Sequence, residues 1–299
     1  MKKAKLLVLG GSGMLGHQLC RTLSKRLTVW ATFHDDPAHY KRYHLLPMDQ
    51  TIGDANACDW PTFSRKLKEA KPDVIINAIG IVKQRDEAKQ ALPSIKVNAL
   101  LPHRLADLCS DVGVRLIQIS TDCVFSGFRG SYSELDLPDP VDLYGRTKLL
   151  GELNRDGCLT LRTSIIGWEL RQRAGLLEWF ASQRGKTIQG YGKAIYSGLS
   201  TAVLAHLIGD IIETRPELSG LYHVASNPIS KYDLLIRLKE RLGWEDMRIE
   251  KDESFYCDRS LVGQRFEMIT GWKAPDWDKM ISELALEWPI YKEWRKREQ

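Results

Sequence analysis

Short apolar runs recur through the first half of the chain, at residues 5–9, 27–33, 74–77, 114–120 and 159–163, separated by segments long enough for helices. The runs are nearly continuous in hydrophobicity, as in strands buried on both faces, and lack the alternation of a half-exposed strand. Helical spacing of apolar positions falls between them, near 14–25, 61–70, 94–111 and 142–155. Strand and helix in alternation predict an α/β architecture, a doubly wound parallel sheet with helices on both faces. Ligands of such sheets bind at the carboxyl ends of the strands. Gly10, Ala78-Ile79-Gly80, Ser120-Thr121 and Arg162-Thr163 fall at such ends.

Beyond about residue 165 the alternation loosens into helical patterns near 174–184, 200–214, 230–243 and 275–287, with one further strand at 220–224. The pattern predicts a dinucleotide-binding domain over 1–165 and a smaller C-terminal lobe over 166–299, mainly for substrate, with segments that cross back to the sheet. The run 175–180 reads as core packing of that lobe, with walling of a substrate cleft as the alternative.

Composition narrows the class without changing the fold. The 299 residues are 43% hydrophobic and 27% charged with a formal net charge of +5, the profile of a soluble globular protein. The basic residues are spread along the chain apart from the tail at 291–297, so neither nucleic acid nor a membrane surface is the expected partner. The start, Met1-Lys2-Lys3 before an apolar stretch, is too short for a secretory leader and reads as a first strand. No apolar run is long enough to span a bilayer. Six cysteines lack CxxC spacing, and reduced thiols in a cytoplasmic protein are expected. His17, His44, His103 and His206 show no metal-ligand spacing, and no metal is predicted.

Gly10-Gly11-Ser12-Gly13-Met14-Leu15-Gly16 follows the first strand and opens a helix, the context a dinucleotide fingerprint requires. Glycines let the backbone approach a pyrophosphate, and the helix N-terminus supplies free N–H groups. The loop fits GxGxxG from Gly11 and GxxGxxG from Gly10, so it predicts a Rossmann-type sheet without choosing a subfamily. Gly10, Gly13, Met14, Leu15 and Gly16 are the expected pyrophosphate contacts. An acidic residue about 20 positions after the loop would favour NAD, but Asp35 and Asp36 come late. His34, with Lys41 and Arg42 nearby, suits a 2′-phosphate, so the reading leans to NADP(H) with NAD(H) open. Asp49 is a candidate for the adenine, or an exposed loop aspartate.

Tyr144 and Lys148 stand four residues apart on a predicted helix, one turn apart on one face. The ammonium favours the phenolate, and Tyr144 becomes a general-acid candidate.

The set Gly10-x-x-Gly13-x-x-Gly16, Asn77-Ala78-Ile79-Gly80, Asn98, Ser120-Thr121-Asp122 and Tyr144-x-x-x-Lys148 resembles the extended short-chain dehydrogenase/reductases. Within them, the stretch from Ser120 to Gly127, then Tyr132-x-Glu134, Asp136 and the run Tyr144 to Glu152, resembles the dTDP-4-dehydrorhamnose reductase branch. The resemblance is dense from about 5 to 165 and thinner beyond. The chain departs from that branch at Cys123, where Tyr is usual, and at Ile165, where an aromatic residue is usual; both positions lie near the sugar in that family.

The resemblance implies reduction of the 4-keto group of a nucleotide-linked 4-keto-6-deoxy sugar in surface polysaccharide precursor synthesis. Tyr144 would donate the proton, Lys148 would tune it and bind the nicotinamide ribose, and Thr121 would hydrogen-bond the ketone oxygen, with Ser120 the neighbouring candidate. Asn77, Ala78, Gly80 and Asn98 would line the cofactor, Asn98 holding a helix kink and a relay water or simply capping a backbone break. Thr121, Asp122, Cys123, Arg162 and Lys186 would meet the substrate, with Lys193 a further basic candidate. A homodimer is implied. Two other classes stay open: a nucleotide-sugar epimerase, and a non-catalytic regulatory subunit like that of methionine adenosyltransferase. Dehydration is disfavoured because Asp122 is followed by Cys123, not by a second acid.

Overall fold

The structure, a computed structural model, describes residues 3–83, 89–171 and 173–296. Its strands are β1 (Lys5–Leu9), β2 (Thr28–Thr32), β3 (Thr51–Ile52), β4 (Val74–Asn77), β5 (Arg115–Ser120), β6 (Cys158–Arg162), β7 (Ile165–Ile166), β8 (Thr187–Tyr196), β9 (Leu199–Ser200), β10 (Gly220–His223), β11 (Ile229–Ser230) and β12 (Arg248–Asp258). Its helices are α1 (Met14–Leu23), α2 (Trp60–Ala70), α3 (Ala91–Ser94), α4 (Leu101–Val112), α5 (Leu143–Leu150), α6 (Leu176–Ala181), α7 (Thr201–Thr214), α8 (Lys231–Leu242), α9 (Gln264–Thr270) and α10 (Trp277–Lys296). The chain divides into two compact units: Met1–Ser120, Asp142–Leu161 and Leu204–Leu221 form one, and Thr121–Val141, Arg162–Val203 and Tyr222–Gln299 the other.

The first unit is built on a seven-stranded sheet in the order β10-β6-β5-β4-β1-β2-β3. The pairs β1/β2, β1/β4, β2/β3 and β4/β5 are parallel, so the predicted α/β sheet is present. The order runs outward from β1 in both directions, and loops leaving β1 and β4 diverge at the sheet's carboxyl edge. Phe63 and Leu67 of α2 and Leu105 and Leu108 of α4 pack on Leu7, Ile75 and Leu116 of the sheet. Each such burial is worth about 1.5–3 kcal/mol, more than the tenths of a kcal/mol per residue that helix propensity contributes. α5 stops at Leu150, short of the expected 155, at a Gly151 C-cap packed so closely on Asn98 that a Cβ there would stand 2.0 Å from the Asn98 carbonyl oxygen.

The second unit departs from expectation. Besides short parallel pairing of β7 with β9, it holds a three-stranded sheet in the order β11-β8-β12. The long β8/β12 pair is parallel and β11/β8 antiparallel. β8 alternates inward and outward, but glycine stands at inward position 190, which hides the period from a hydrophobicity scan. β12 reads Arg-Ile-Glu-Lys-Asp-Glu-Ser and is largely exposed on both faces, so its pairing is set by the backbone ladder and not by burial. α10 runs past the expected 287 and through Pro289. It continues because its last turns bury Tyr291, set Trp288 against Trp168 with ring centroids 4.6 Å apart, and pair Arg295 with Glu178 at 2.6 Å. Within 175–180, Leu177 and Phe180 are buried in the core, Phe180 5.4 Å from the Trp244 ring, while Trp179 is exposed.

Candidate active site

At the carboxyl edge of the first unit's sheet, β1 runs into the glycine loop. Gly10 has φ +83°, a backbone that side-chain-bearing residues rarely adopt. Its N–H donates to Thr32 Oγ1 at 3.1 Å and its carbonyl accepts the Gly13 N–H at 3.0 Å. A Cβ on Gly16 would stand 2.0 Å from that carbonyl oxygen, so the first turn of α1 presses directly on the loop. Inside that turn His17 is buried, with Nδ1 2.8 Å from the Gly13 carbonyl; burial holds its pKa down to about 4. A neutral ring that donates from Nδ1 adds no positive charge but fixes the loop's last carbonyl. Met14 and Leu15 begin α1, Leu15 buried and Met14 partly open.

The turn after β4 lies against this loop: a Cβ on Gly10 would meet Ile79 Cγ1 at 3.2 Å and Ala78 O at 3.4 Å. Asn77 pairs in register with Gln118. Its Nδ2 donates to Gln118 Oε1 at 2.8 Å, and its Oδ1 accepts the Ile79 N–H at 3.2 Å. The side chain is thus engaged in shaping the Ala78–Gly80 turn. Asn98 sits in a π-helical segment, Ile95–Leu100, inserted between α3 and α4. Its Oδ1 accepts the Ile81 N–H at 2.9 Å, while its Nδ2 donates to the Ile81 carbonyl at 3.0 Å and Thr147 Oγ1 at 3.3 Å. The wide turn therefore bridges the turn after β4 to α5.

Asp142 caps α5 by accepting the Gly145 N–H at 2.8 Å, and the helix presents Tyr144 and Lys148 one turn apart. Lys148 Nζ donates to the Ile119 carbonyl, near the end of β5, at 2.6 Å. Desolvation lowers its pKa to about 8, against a weaker pull upward from Glu152. The Ser120 hydroxyl donates to Glu152 Oε1 at 2.6 Å. Thr121, next in the chain, accepts the Cys123 N–H and donates to Asp122 Oδ1, both at 3.1 Å. Of the two hydroxyls, that of Thr121 is held by the longer bond and is the easier to redirect.

Beyond β2, His34, Lys41 and Arg42 are exposed. Asp35 accepts the Tyr40 hydroxyl at 2.8 Å, and Asp36 caps Ala38 N–H at 2.8 Å. Both carboxylates are engaged within that turn. Asp49 is exposed on a 3-10 turn before β3.

In the second unit Asp122 is buried and burial raises its carboxyl pKa, with Arg259, the Thr121 hydroxyl and Lys231 opposing. Burial pushes the Cys123 thiol up to about 12. Arg162 is buried, 5.3 Å from the Phe125 ring centroid, its Nη1 donating to His223 Nε2 at 3.2 Å. A guanidinium only donates, so His223 carries its proton on Nδ1 and gives it to the Tyr132 carbonyl at 3.1 Å. Burial, then Arg162, hold that ring's pKa down to about 4. Arg162 is therefore an anchor within the unit's interior. Lys186 is exposed on the turn into β8, and Lys193 reaches Glu253 at 3.7 Å. Lys231 and Arg259 escaped the sequence pattern because each looks like an ordinary surface cation, one opening α8 and one ending a polar strand.

A family model for the RmlD substrate binding domain matches residues 4–254. The chain belongs to this family. Among its relatives is the probable low-salt glycan biosynthesis reductase Agl14 of Haloferax volcanii, 26% identical over 86% of this chain and 87% of that protein. The dTDP-4-dehydrorhamnose reductase of Aggregatibacter actinomycetemcomitans is 28% identical over 79% of this chain and 78% of its own. A crystal structure of a hypothetical dTDP-4-dehydrorhamnose reductase from Sulfolobus tokodaii superposes with a TM-score of 0.75 at 28% identity, covering 92% of this chain and 98% of that one. The family membership and the Rossmann-type fold thus agree with the resemblance carried by the motifs. No helix among the described residues is long and apolar enough to cross a membrane, and no group of three or more His, Cys, Asp or Glu among them could hold a metal ion.

Proposed function

We propose that this RmlD-family protein reduces the 4-keto group of a nucleotide-linked 4-keto-6-deoxy sugar with NADPH, NADH serving as the weaker donor, in the making of a surface polysaccharide precursor. The observation that carries the reading is Lys148: a buried cation one turn from Tyr144, fixed on the carbonyl of Ile119 in the unit that also holds the glycine loop. The loop fits a dinucleotide, since the close approach at Gly16 leaves no room for a side chain where the first turn of α1 meets the loop, and a helix N-terminus offers N–H groups to a pyrophosphate.

Gly10, Gly13, Met14, Leu15 and Gly16 would hold the pyrophosphate, with Ala78 and Gly80 along the nicotinamide half. His34, Lys41 and Arg42 would take the 2′-phosphate and Asp49 the adenine edge. Reduced nicotinamide supplies the hydride when bound. Tyr144 Oη gives its proton to the oxygen at C4, and Lys148 stabilises the phenolate left behind. Thr121 turns its hydroxyl toward the same oxygen as charge develops there. Asp122 and Cys123, next in the chain, are the substrate contacts of this reading. Asn77 and Asn98 act by holding the cofactor-side turn.

The name of the Aggregatibacter actinomycetemcomitans relative, a dTDP-4-dehydrorhamnose reductase, supports a nucleotide-sugar substrate. The reading places the protein in the cytoplasm with no nucleic acid partner, and as a homodimer; the exposed apolar Leu92, Ile95, Leu100 and Leu150 support pairing through the first unit. Equilibrium sedimentation at micromolar concentration tests the dimer. The activity is tested by NADPH and NADH oxidation against UDP-, dTDP- and GDP-4-keto-6-deoxy sugars. Wild-type turnover lost by about 100-fold or more in Tyr144→Phe, with cofactor binding retained, is the expected result. Bound cofactor without oxidation on any sugar would overturn it.

A further inference from the structure

Asp35 follows β2 in the first unit, the place from which a carboxylate accepts the 2′-hydroxyl of the adenosine ribose in NAD-binding sheets. The backbone brings it there: the Thr32 carbonyl accepts the Gly11 N–H at 2.8 Å, and a Cβ on Gly11 would stand 3.0 Å from Phe33 Cζ. The residues after β2 thus leave directly from the glycine loop. Asp35 is nonetheless bound to its own chain. Its Oδ1 accepts the Tyr40 hydroxyl at 2.8 Å, and its Oδ2 lies 3.5 Å from His39 Nδ1. Tyr40 is 7% exposed, its ring 4.9 Å from that of Phe33 and 6.3 Å from that of Tyr43. The 3-10 helix that carries it, Pro37–Tyr43, is itself fixed. A Cβ on Gly53 would meet Pro37 Cδ at 2.4 Å, and Lys66 Nζ holds the carbonyls of Gly53 and Asp54 at 2.6 and 2.9 Å.

A hydrogen bond from a phenol to a carboxylate is charge-assisted and stronger than one between neutral groups. A ribose hydroxyl that competes for Asp35 gains little beyond what the broken Tyr40 bond gives up. A 2′-phosphate needs no such acceptor, and the bond keeps the carboxylate from swinging toward it. We propose that Tyr40 sets the preference for NADPH over NADH, its hydroxyl withholding Asp35 from the adenosine ribose. Tyr40 is then a positioning residue that acts through Asp35. This inference rests on the reductase reading given above and names the device behind its choice of cofactor.

The test is calorimetric binding of NADPH and of NADH to wild type, Tyr40→Phe, Asp35→Asn and the double variant, each checked for a cooperative thermal transition. Tyr40→Phe keeps the ring and frees the carboxylate. NADH should bind it more tightly than it binds wild type and NADPH more weakly, so that the NADPH-to-NADH affinity ratio falls by about tenfold or more. A merely structural loss would weaken both nucleotides together. In Asp35→Asn, NADH affinity should stay within about twofold of wild type, because the carboxylate was not in use. Adding Tyr40→Phe to Asp35→Asn should then leave the ratio where it is, since the two residues act as one unit. An unchanged ratio in folded Tyr40→Phe overturns the inference while leaving the reductase reading intact. So does a wild type that binds NADH more tightly than NADPH, or a loss of NADH affinity of about tenfold in Asp35→Asn. The Asp35→Asn arm decides alone if Tyr40→Phe does not fold. A wild type that binds neither nucleotide overturns the reductase reading, and the role of Tyr40 with it.

Discussion

Lys148 makes a demand on pH that separates activity from stability. Its ammonium is buried against the Ile119 carbonyl, and desolvation brings the pKa from its ordinary 10.5 to about 8. Above pH 8 the charge that favours the Tyr144 phenolate is lost, so kcat/KM for ketone reduction should fall by about tenfold per pH unit. The stability contribution has the opposite sign. Between pH 8 and 10.5 the unfolded chain binds the proton more tightly, so the burial cost is relieved as pH rises through that window. A pH–rate profile that stays flat to pH 9.5 would refute the assignment. Lys148→Met should lower the rate by about 100-fold and abolish the inflection. Gly16 makes a steric demand nearby. In Gly16→Ala the new methyl would sit 2.0 Å from the Gly10 oxygen and 2.8 Å from its carbon, both backbone atoms that move only with the loop. NADPH affinity, followed by tryptophan quenching, should drop by more than about tenfold, while far-ultraviolet circular dichroism keeps its wild-type shape.

Among the elements, the π-helical segment joins recognition to scaffold. Asn98 spends its whole amide on Ile81 and Thr147, and Asn98→Leu would leave both backbone groups of Ile81 without it. The expected loss is about 1–3 kcal/mol in urea denaturation, with KM for NADPH raised about tenfold and kcat changed far less. A variant with unchanged KM would reduce Asn98 to a packing residue. The same elements show what was legible in the chain. β1, β4 and β5 could be read because each is largely buried and carries an apolar run, Leu6–Leu9, Val74–Ile76 and Leu116–Ile117. The glycine loop and the Tyr144–Lys148 pair were legible because their spacing is dictated by local geometry, a tight turn in one case and one helical turn in the other. β8 and β12 were not: a glycine at an inward position and a charged, exposed partner strand remove the period that marks a strand. Lys231 and Arg259 were hidden for a related reason, since a cation's burial is decided by what other segments bring to it, Asp122 and Tyr196 among them.

For the whole molecule, acid is the informative perturbation, because each unit holds a neutral histidine that cannot be charged in place. His17 is sealed in the first unit, its Nδ1 on the Gly13 carbonyl. His223 is sealed in the second, and charging it would turn the acceptor of the Arg162 guanidinium into a second cation. Both have pKa values held near 4, against 6.5 for the free side chain. The unfolded chain therefore binds more protons between pH 6.5 and 4. Stability is full above 6.5 and falls as pH drops through that window, by about 3 kcal/mol for each ring. Asp122 and Glu178 act against this trend, since burial raises their pKa values and lets the folded state take up protons more readily. The histidine part is isolated by comparison of slopes. His17→Asn keeps a donor for Gly13, and His223→Gln keeps an acceptor for Arg162, yet neither can titrate. Urea unfolding from pH 7 to 4.5 should show each variant losing less stability than wild type over the same interval, even where its stability at pH 7 is lower. Parallel pH curves for wild type and both variants would mean that the rings are protonated in the folded state, and that the two units answer to acid through their carboxylates alone.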